Sequence, residues 1–96
     1  MLHTLSCAPG HPAVKDCIAL LRANDALLLL GDGVYIALQH SEDWLALQQS
    51  GASLHVLDAD ARAAGVQQRL AGCFTVVDDD GFVSLTEQHA QQMAWY

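Results

Sequence analysis

The segment from Ala26 to Leu30 constrains the fold most, because all five residues are apolar and Gly31-Asp32-Gly33 follows them directly. A strand with one solvated face alternates apolar and polar side chains, whereas a strand covered on both faces is apolar throughout. Strands covered on both faces are typical of parallel sheets, in which helical crossovers join the strands. The run therefore predicts a central strand of a parallel α/β sheet.

Other segments predict further strands and the helices between them. Strands are expected at residues 2–6, 54–57 and 74–77. A helix is expected from about Ala13 to Ala23, and its core-facing stripe is Val14, Cys17, Ile18 and Leu21. A second helical segment should begin over residues 34–38, and a third should follow a cap at Ser41. An Ala-rich helical turn should follow residues 58–60 and end at Gly65.

The C-terminal segment predicts a helix after the acidic turn at residues 78–81. Its expected apolar face carries Phe82, Leu85, Thr86, His89 and Met93. The residues from Met93 to Tyr96 either prolong this helix or form a final edge strand. Trp95 and Tyr96 are of a type enriched at protein interfaces, and they either anchor a neighbouring subunit or fold onto the core of this chain.

Length and alternation together define the fold class. The 96 residues suffice for a single domain, 1–96, with one core of modest size. Alternating strands and helices predict an α/β fold: a single small three-layer domain with a mainly parallel sheet of about four to five strands. Charged residues are only 16% of the chain, below the roughly 25% usual in globular domains, so we expect a partner to cover part of the surface.

The charge and the apolar pattern exclude several classes of function. The formal net charge of −7 disfavours direct binding of nucleic acid, which depends on clustered Lys and Arg. The longest apolar run is too short to span a bilayer, and no signal peptide is evident, so we expect a cytoplasmic protein without membrane contact. The three cysteines, Cys7, Cys17 and Cys73, lack CxxC or CxxxC spacing and are expected to be free thiols.

Neither a metal nor a cofactor is indicated by the motifs. The five histidines form no HxxxH or HExxH pattern, and Gly31-x-Gly33 does not continue into a dinucleotide fingerprint. Asp32-Gly33 is an ordinary turn pair, and three adjacent aspartates at residues 78–80 are more typical of a solvated helix cap than of a cation site. We therefore expect no cofactor and no metal ligand.

Several short segments, in order along nearly the whole chain, resemble the TusB/DsrH family of sulfur-relay subunits. The matching segments are Met1 to Leu5, Leu27 to Leu30, Asp32-Gly33-Val34, Asp78, Phe82-Val83, Leu85-Thr86, His89, and Gln91 to Trp95. The resemblance implies the small three-layer α/β fold of DsrE/DsrF/DsrH-like subunits. It also implies a place in a heterohexamer with TusC/TusD-like or DsrE/DsrF-like subunits, which together pass sulfur from a persulfide donor to an acceptor protein.

Cys17 is the candidate catalytic residue, as a persulfide carrier. It falls where the resemblance to the DsrH branch places a cysteine linked to sulfur transfer, and a thiolate can receive and hand on a persulfide sulfur. The alternative is packing, because Cys17 lies on the apolar stripe of its helix and free cysteine behaves as a small hydrophobe. Cys7 is interpreted as a bystander thiol that is exposed at a strand end, and Cys73 as a packing residue.

Three functions remain open. In the first, the chain mainly provides interfaces in a TusBCD-like sulfurtransferase that supports 2-thiolation of the wobble uridine in tRNA, with no independent activity. In the second, Cys17 is itself a sulfur carrier, as in DsrEFH-like sulfur oxidation. In the third, the chain is a stand-alone small-ligand module with a crevice near Ser6, Asp32 and Asp58 at the strand exits.

Overall fold

Five parallel strands form the centre of the structure, a computed structural model that describes residues 1–38 and 43–95. The strands are β1 (Leu2–Leu5), β2 (Ala26–Leu29), β3 (Ser53–Leu57), β4 (Thr75–Val77) and β5 (Gln92–Trp95). Their order across the sheet is β4-β3-β2-β1-β5, and every neighbouring pair is parallel. The predicted α/β class with a parallel sheet of four to five strands is confirmed.

Helices cover both faces of this sheet. The α-helices are α1 (Pro12–Leu20), α2 (Trp44–Gln49), α3 (Asp58–Ala63) and α4 (Asp79–Gln88), and two 3-10 helices span Gly31–Ala37 and Gln67–Arg69. Pro12 opens α1, where its missing N–H costs little. The side chain of His11 caps the same helix by accepting a hydrogen bond from the Ala13 N–H at 3.1 Å.

The strand order decides which face each helix covers. The steps from β1 to β2, β3 and β4 all move in one direction, so right-handed crossovers place their helices on the same face, here called the first face. The step from β4 to β5 returns to the opposite edge, which places α4 on the second face. The first-face core contains Leu5, Leu29 and Val56 with Cys17 of α1, and the second-face core joins Leu28 to Leu85 of α4.

Strand β2 occupies the middle of the sheet, as its apolar sequence predicts. Its four residues are fully buried, with Leu27 and Leu29 in the first-face core and Ala26 and Leu28 in the second-face core. The sequence of β2 is apolar at every position because a hydrophobic core covers each face of the strand.

Two helical segments differ from their predicted form. Helix α1 ends at Leu20 rather than near Ala23, because Leu21 is extended and its N–H turns back to the carbonyls of Cys17 and Ile18. The Asp25 carboxylate then accepts the Arg22 N–H at 3.0 Å, which stabilises a tight turn into β2. The segment after β2 is a 3-10 helix, Gly31–Ala37, that begins earlier than predicted.

The prediction of one helical face from Phe82 to Met93 is wrong beyond Gln88. His89 is an extended C-cap residue, and Met93 lies in β5, the edge strand that was the alternative for this segment. The helical spacing of apolar residues continues in the sequence beyond Gln88, but there the chain pairs with β1 as a strand instead of forming a helix. The predicted cap at Ser41 and the last residue, Tyr96, lie outside the described residues.

Candidate functional site

Cys17 lies in the first-face core on α1 and is fully buried. Burial, and secondarily the nearby Cys7, raise the pKa of the Cys17 thiol to about 12. At pH 7 a thiol whose pKa is raised this far is almost entirely protonated. Because the thiolate is the nucleophile in sulfur exchange, this arrangement favours the packing role of Cys17 over attack on a donor persulfide.

The prediction that Cys7 is exposed at the end of β1 is wrong. Its exposed fraction is 6%, and it belongs to the same first-face core as Cys17. Cys73 is partly exposed and packs at the margin of this core. The fold therefore brings two of the three thiols into one apolar environment where neither is available to solvent.

The carboxyl ends of the strands carry aspartates that bind groups of this chain. Asp60 accepts the Gly31 N–H at 2.7 Å. Asp58 accepts hydrogen bonds from the Arg62 Nε at 2.8 Å and from the Gln67 side-chain amide at 3.0 Å. The Asp60 bond ties α3 to the segment that follows β2, and the two Asp58 bonds lie within the connection from β3 to β4. Asp58, which the crevice hypothesis requires, is therefore engaged in structural contacts.

A shallow open cleft of about 230 Å³ lies at this end of the sheet, bordered by Asp32, Tyr35 and Asp60. Ser6, the third residue of the crevice hypothesis, instead donates its hydroxyl to the Trp95 carbonyl at 3.3 Å. The cleft thus offers two carboxylates and a phenol but no feature that selects a ligand. It gives the stand-alone binding module no specific support.

A buried polar network that sequence reasoning missed joins β5 to the first two strands. The Trp95 indole N–H donates to the Nδ1 of His3 at 3.1 Å, so Nδ1 is the unprotonated nitrogen of a neutral imidazole and Nε2 carries the proton. Nε2 lies 3.3 Å from the Asp25 carboxylate. His3 has an exposed fraction of only 2%, and its ring stacks on the indole with 6.3 Å between centroids.

Asp25 connects this network to the turn before β2. Although burial alone raises the pKa of a carboxyl, hydrogen bonds from the α-amino group, the Arg22 N–H and His3 outweigh it and lower the pKa of Asp25. The Oδ1 of Asp25 lies 3.0 Å from the Met1 nitrogen. Asp25 is 22 positions from His3 in the sequence, and Trp95 is 92 positions from it. Only the aromatic and charged character of these side chains hinted at a shared contact.

His55 lies at the centre of β3 on the second face, and its two ring nitrogens are buried without a hydrogen-bond partner. Burial, and secondarily the proximity of His89, lower the pKa of His55. The imidazole is therefore neutral at pH 7. His89, expected on the apolar face of a longer helix, is instead a partly buried neighbour of His55 at the end of α4.

The described residues contain no grouping of three or more His, Cys, Asp or Glu side chains that could hold a metal ion. Within the same ranges, no helix has the length and apolar character needed to cross a membrane.

Comparison with protein families gives a match to the model described as DsrH like protein over residues 8–92. The chain belongs to the DsrH family. This membership confirms the resemblance on which the expectation of a sulfur-relay subunit is based. The matched residues include Cys17 and every described element from α1 to α4.

Individual DsrH-family relatives align along their full length. Protein TusB of Pectobacterium atrosepticum is 38% identical over 95 residues, which cover 99% of this chain and all of the relative. Protein TusB of Yersinia pestis is 39% identical over the same coverage. Both are proteins of the same size as this chain.

A solved structure shares the fold of this DsrH-family chain. The solution NMR structure of Protein Tm0979 from Thermotoga maritima superposes with a TM-score of 0.69. The likeness covers 95% of this chain and 97% of the other, at 22% sequence identity. It confirms the small α/β architecture independently of the sequence match.

Proposed function

We propose that the chain is a subunit of a cytoplasmic heteromeric sulfurtransferase of the TusBCD kind and that it mainly provides interfaces. In this role it supports the persulfide relay that leads to 2-thiolation of the wobble uridine in tRNA, together with TusC/TusD-like subunits. The observation that carries the proposal is the full-length likeness to proteins named TusB. The low charged fraction of 16% agrees with a surface partly covered by other subunits.

The environment of Cys17 supports an interface role over a carrier role. A carrier thiolate attacks the outer sulfur of a donor persulfide, forms its own persulfide and releases the donor as a thiolate. Full burial and a pKa of about 12 oppose each part of this step at Cys17. In the proposed complex, the sulfur therefore resides on a cysteine of another subunit.

The carrier function is the second candidate, because the family match spans Cys17. Here Cys17 would itself hold the persulfide, as in DsrEFH-like sulfur oxidation. Such a role requires α1 to move away from the sheet, since no solvent reaches the thiol in this structure. The two candidates therefore differ in the accessibility of one sulfur atom.

One experiment separates the two. The tagged chain is recovered gently from its native cells and alkylated without reductant, and mass spectrometry then identifies its companions and any extra sulfur on Cys17. We expect related α/β subunits with the added sulfur on a companion's cysteine. Extra sulfur on Cys17 would establish the carrier function, and recovery of the chain alone would contradict both candidates.

The role in tRNA thiolation needs its own measurement. Cells that lack this chain should lose 2-thiouridine at the wobble position, and the Cys17→Ala variant should restore it, because a packing residue tolerates a small apolar replacement. The Cys73→Ser variant is the matched control, since Cys73 lies at the margin of the core. An unchanged 2-thiouridine content in cells without the chain would refute this pathway.

A further inference from the structure

Half of the basic residues of this acidic chain border one groove. The chain has 4 Lys and Arg residues against 11 Asp and Glu residues. Arg62 of α3 and Arg69 of the second 3-10 helix line a groove of about 560 Å³, together with Gly65, Gln67 and Gln68. Among the described residues no carboxylate lines this groove, here called the arginine groove. Its lining therefore combines positive charge with carboxamide groups, although the chain as a whole is acidic.

Asp58 holds two side chains of the arginine groove in place. Its carboxylate accepts hydrogen bonds from the Arg62 Nε at 2.8 Å and from the Gln67 side-chain amide at 3.0 Å. Both side chains are thereby ordered before a ligand arrives, so they lose less conformational entropy when a ligand binds. The bond to Arg62 uses Nε, and the two terminal nitrogens of the guanidinium remain to donate to a ligand.

Arg69 supplies the second positive charge of the arginine groove. Within the part of the chain that the structure describes, its guanidinium forms no ion pair with an Asp or Glu, and the residue is exposed. Its backbone N–H donates to the Val66 carbonyl at 2.8 Å, which fixes the backbone from which the side chain extends. A guanidinium carries five N–H donors in a planar fork that matches two oxygens of a carboxylate or a phosphate. Arg69 is thus available to bind an oxyanion.

The net charge of the chain restricts the size of the anion. A formal charge of −7 opposes the approach of a polyanion such as a nucleic acid or an acidic protein surface. A ligand with one or two charges is repelled less, and at close range it gains charge-assisted hydrogen bonds from guanidinium groups. The volume of the arginine groove also lies within the range of about 300–1,000 Å³ that is typical of small-molecule sites. Charge and volume together favour a small anion.

We propose that the arginine groove binds the oxyanion group of a small molecule, a phosphate or a carboxylate. The terminal nitrogens of Arg62 and the guanidinium of Arg69 donate to its oxygens, and the carboxamides of Gln67 and Gln68 bind the neighbouring polar part of the ligand. Asp58 is a positioning residue, which acts through Arg62 and Gln67. This site does not include Cys17, so the proposal goes beyond the relay function and does not depend on it.

The first test is an NMR titration of the isotopically labelled full chain with inorganic phosphate at constant ionic strength. We expect saturable shifts of the Nε–H signals of Arg62 and Arg69 and of the side-chain amides of Gln67 and Gln68, with half-saturation below about 10 mM. A parallel titration with acetate identifies the group, because the anion with the lower half-saturation concentration is the one that the groove prefers. Sodium chloride at the same ionic strength should give no saturable shift, since a monatomic ion offers the guanidinium fork no pair of oxygens.

The second test uses matched substitutions to separate recognition from net charge. Arg69→Gln removes a cation of the groove and should raise the half-saturation concentration at least about tenfold. Lys15→Gln removes the same charge from an exposed position of α1 that does not line the groove, and it should change that concentration less than about twofold. Arg69→Lys keeps the charge but loses the planar fork, and it should weaken binding at least about threefold.

The outcomes decide the proposal without reference to sulfur transfer or to companion subunits. No saturation by either anion up to about 50 mM would overturn it, and so would shifts that sodium chloride reproduces. Equal weakening by Arg69→Gln and Lys15→Gln would show that the anion responds to net charge alone, which would also overturn the site. Circular dichroism establishes that each variant is folded before binding is measured, and Arg69 is suited to substitution because it is exposed.

Discussion

At the scale of single residues, buried polar side chains determine much of the stability of this chain. The Trp95→Phe substitution keeps the aromatic ring but removes the N–H that His3 Nδ1 accepts, and that nitrogen is then buried without a partner. We expect a loss of about 1–3 kcal/mol in the free energy of unfolding, measured by urea denaturation. Trp44→Phe is the matched control, because no hydrogen bond of the Trp44 indole occurs within the described ranges, and it should cost less.

His55 predicts a dependence of stability on pH. Its pKa is lowered in the folded chain, so the unfolded chain binds more protons at mildly acidic pH and the folded state is penalised there. The stability linked to His55 is complete above its unfolded pKa of about 6.5 and is lost as pH falls from that value through the folded pKa.

The His55→Leu substitution tests this linkage. It removes two buried nitrogens without partners, and it should raise the free energy of unfolding at pH 7 by about 1 kcal/mol. It should also flatten the decline below pH 6.5 in thermal unfolding scans. His89→Gln removes only the secondary cause of the shift and should keep most of the decline, whereas an equally steep decline in His55→Leu would refute the assignment.

At the scale of elements, the 3-10 helix after β2 depends on close contact with β1. A Cβ at Gly33 would lie 2.2 Å from the Leu5 carbonyl oxygen, which is backbone and has no room to move. Gly33→Ala should therefore lower stability by about 2–3 kcal/mol, measured as the midpoint of chemical denaturation. Gly72→Ala meets open space and should be close to neutral, and equal effects at the two positions would argue against this packing.

Helix α4, which supplies the apolar cover of the second face, depends on its N-cap. The Asp78 carboxylate accepts the Gly81 N–H at 2.8 Å. Asp78→Ala should cost about 1 kcal/mol of stability, because one of the unpaired N–H groups of the first turn loses its acceptor. Asp80→Ala changes the same charge without removing the cap, and a comparable loss there would show that charge near the helix, not capping, is responsible.

At the scale of the whole molecule, stability should decrease from the centre of the sheet toward its edges. Strand β2 is fully buried and paired on both sides, whereas β4 is short and half-exposed and, among the described residues, pairs with β3 alone. In amide hydrogen exchange, we expect β2 to exchange only through global unfolding and β4 through smaller local openings. Equal protection of both strands would indicate that the sheet opens as one unit or that a partner covers β4.

The features that the sequence determined are those with a local physical cause. The apolar run at residues 26–30 predicted a central strand, because a strand that is covered on both faces has apolar side chains at consecutive positions. The stripe of α1 and the acidic start of α4 were likewise readable, since helix periodicity and capping involve residues a few positions apart. Alternation of such elements was sufficient to predict the parallel α/β class.

The tertiary structure alone decided the features that depend on distant partners. Gln92–Trp95 forms a strand because β1, about 90 positions away, supplies its hydrogen bonds, whereas its own side chains suited a helix equally well. The same pairing brings Trp95 onto His3. Cys7 and Cys17 are buried in one core because α1 packs on the sheet. No local sequence pattern specifies this packing, because it depends on contacts between segments that are distant in the sequence.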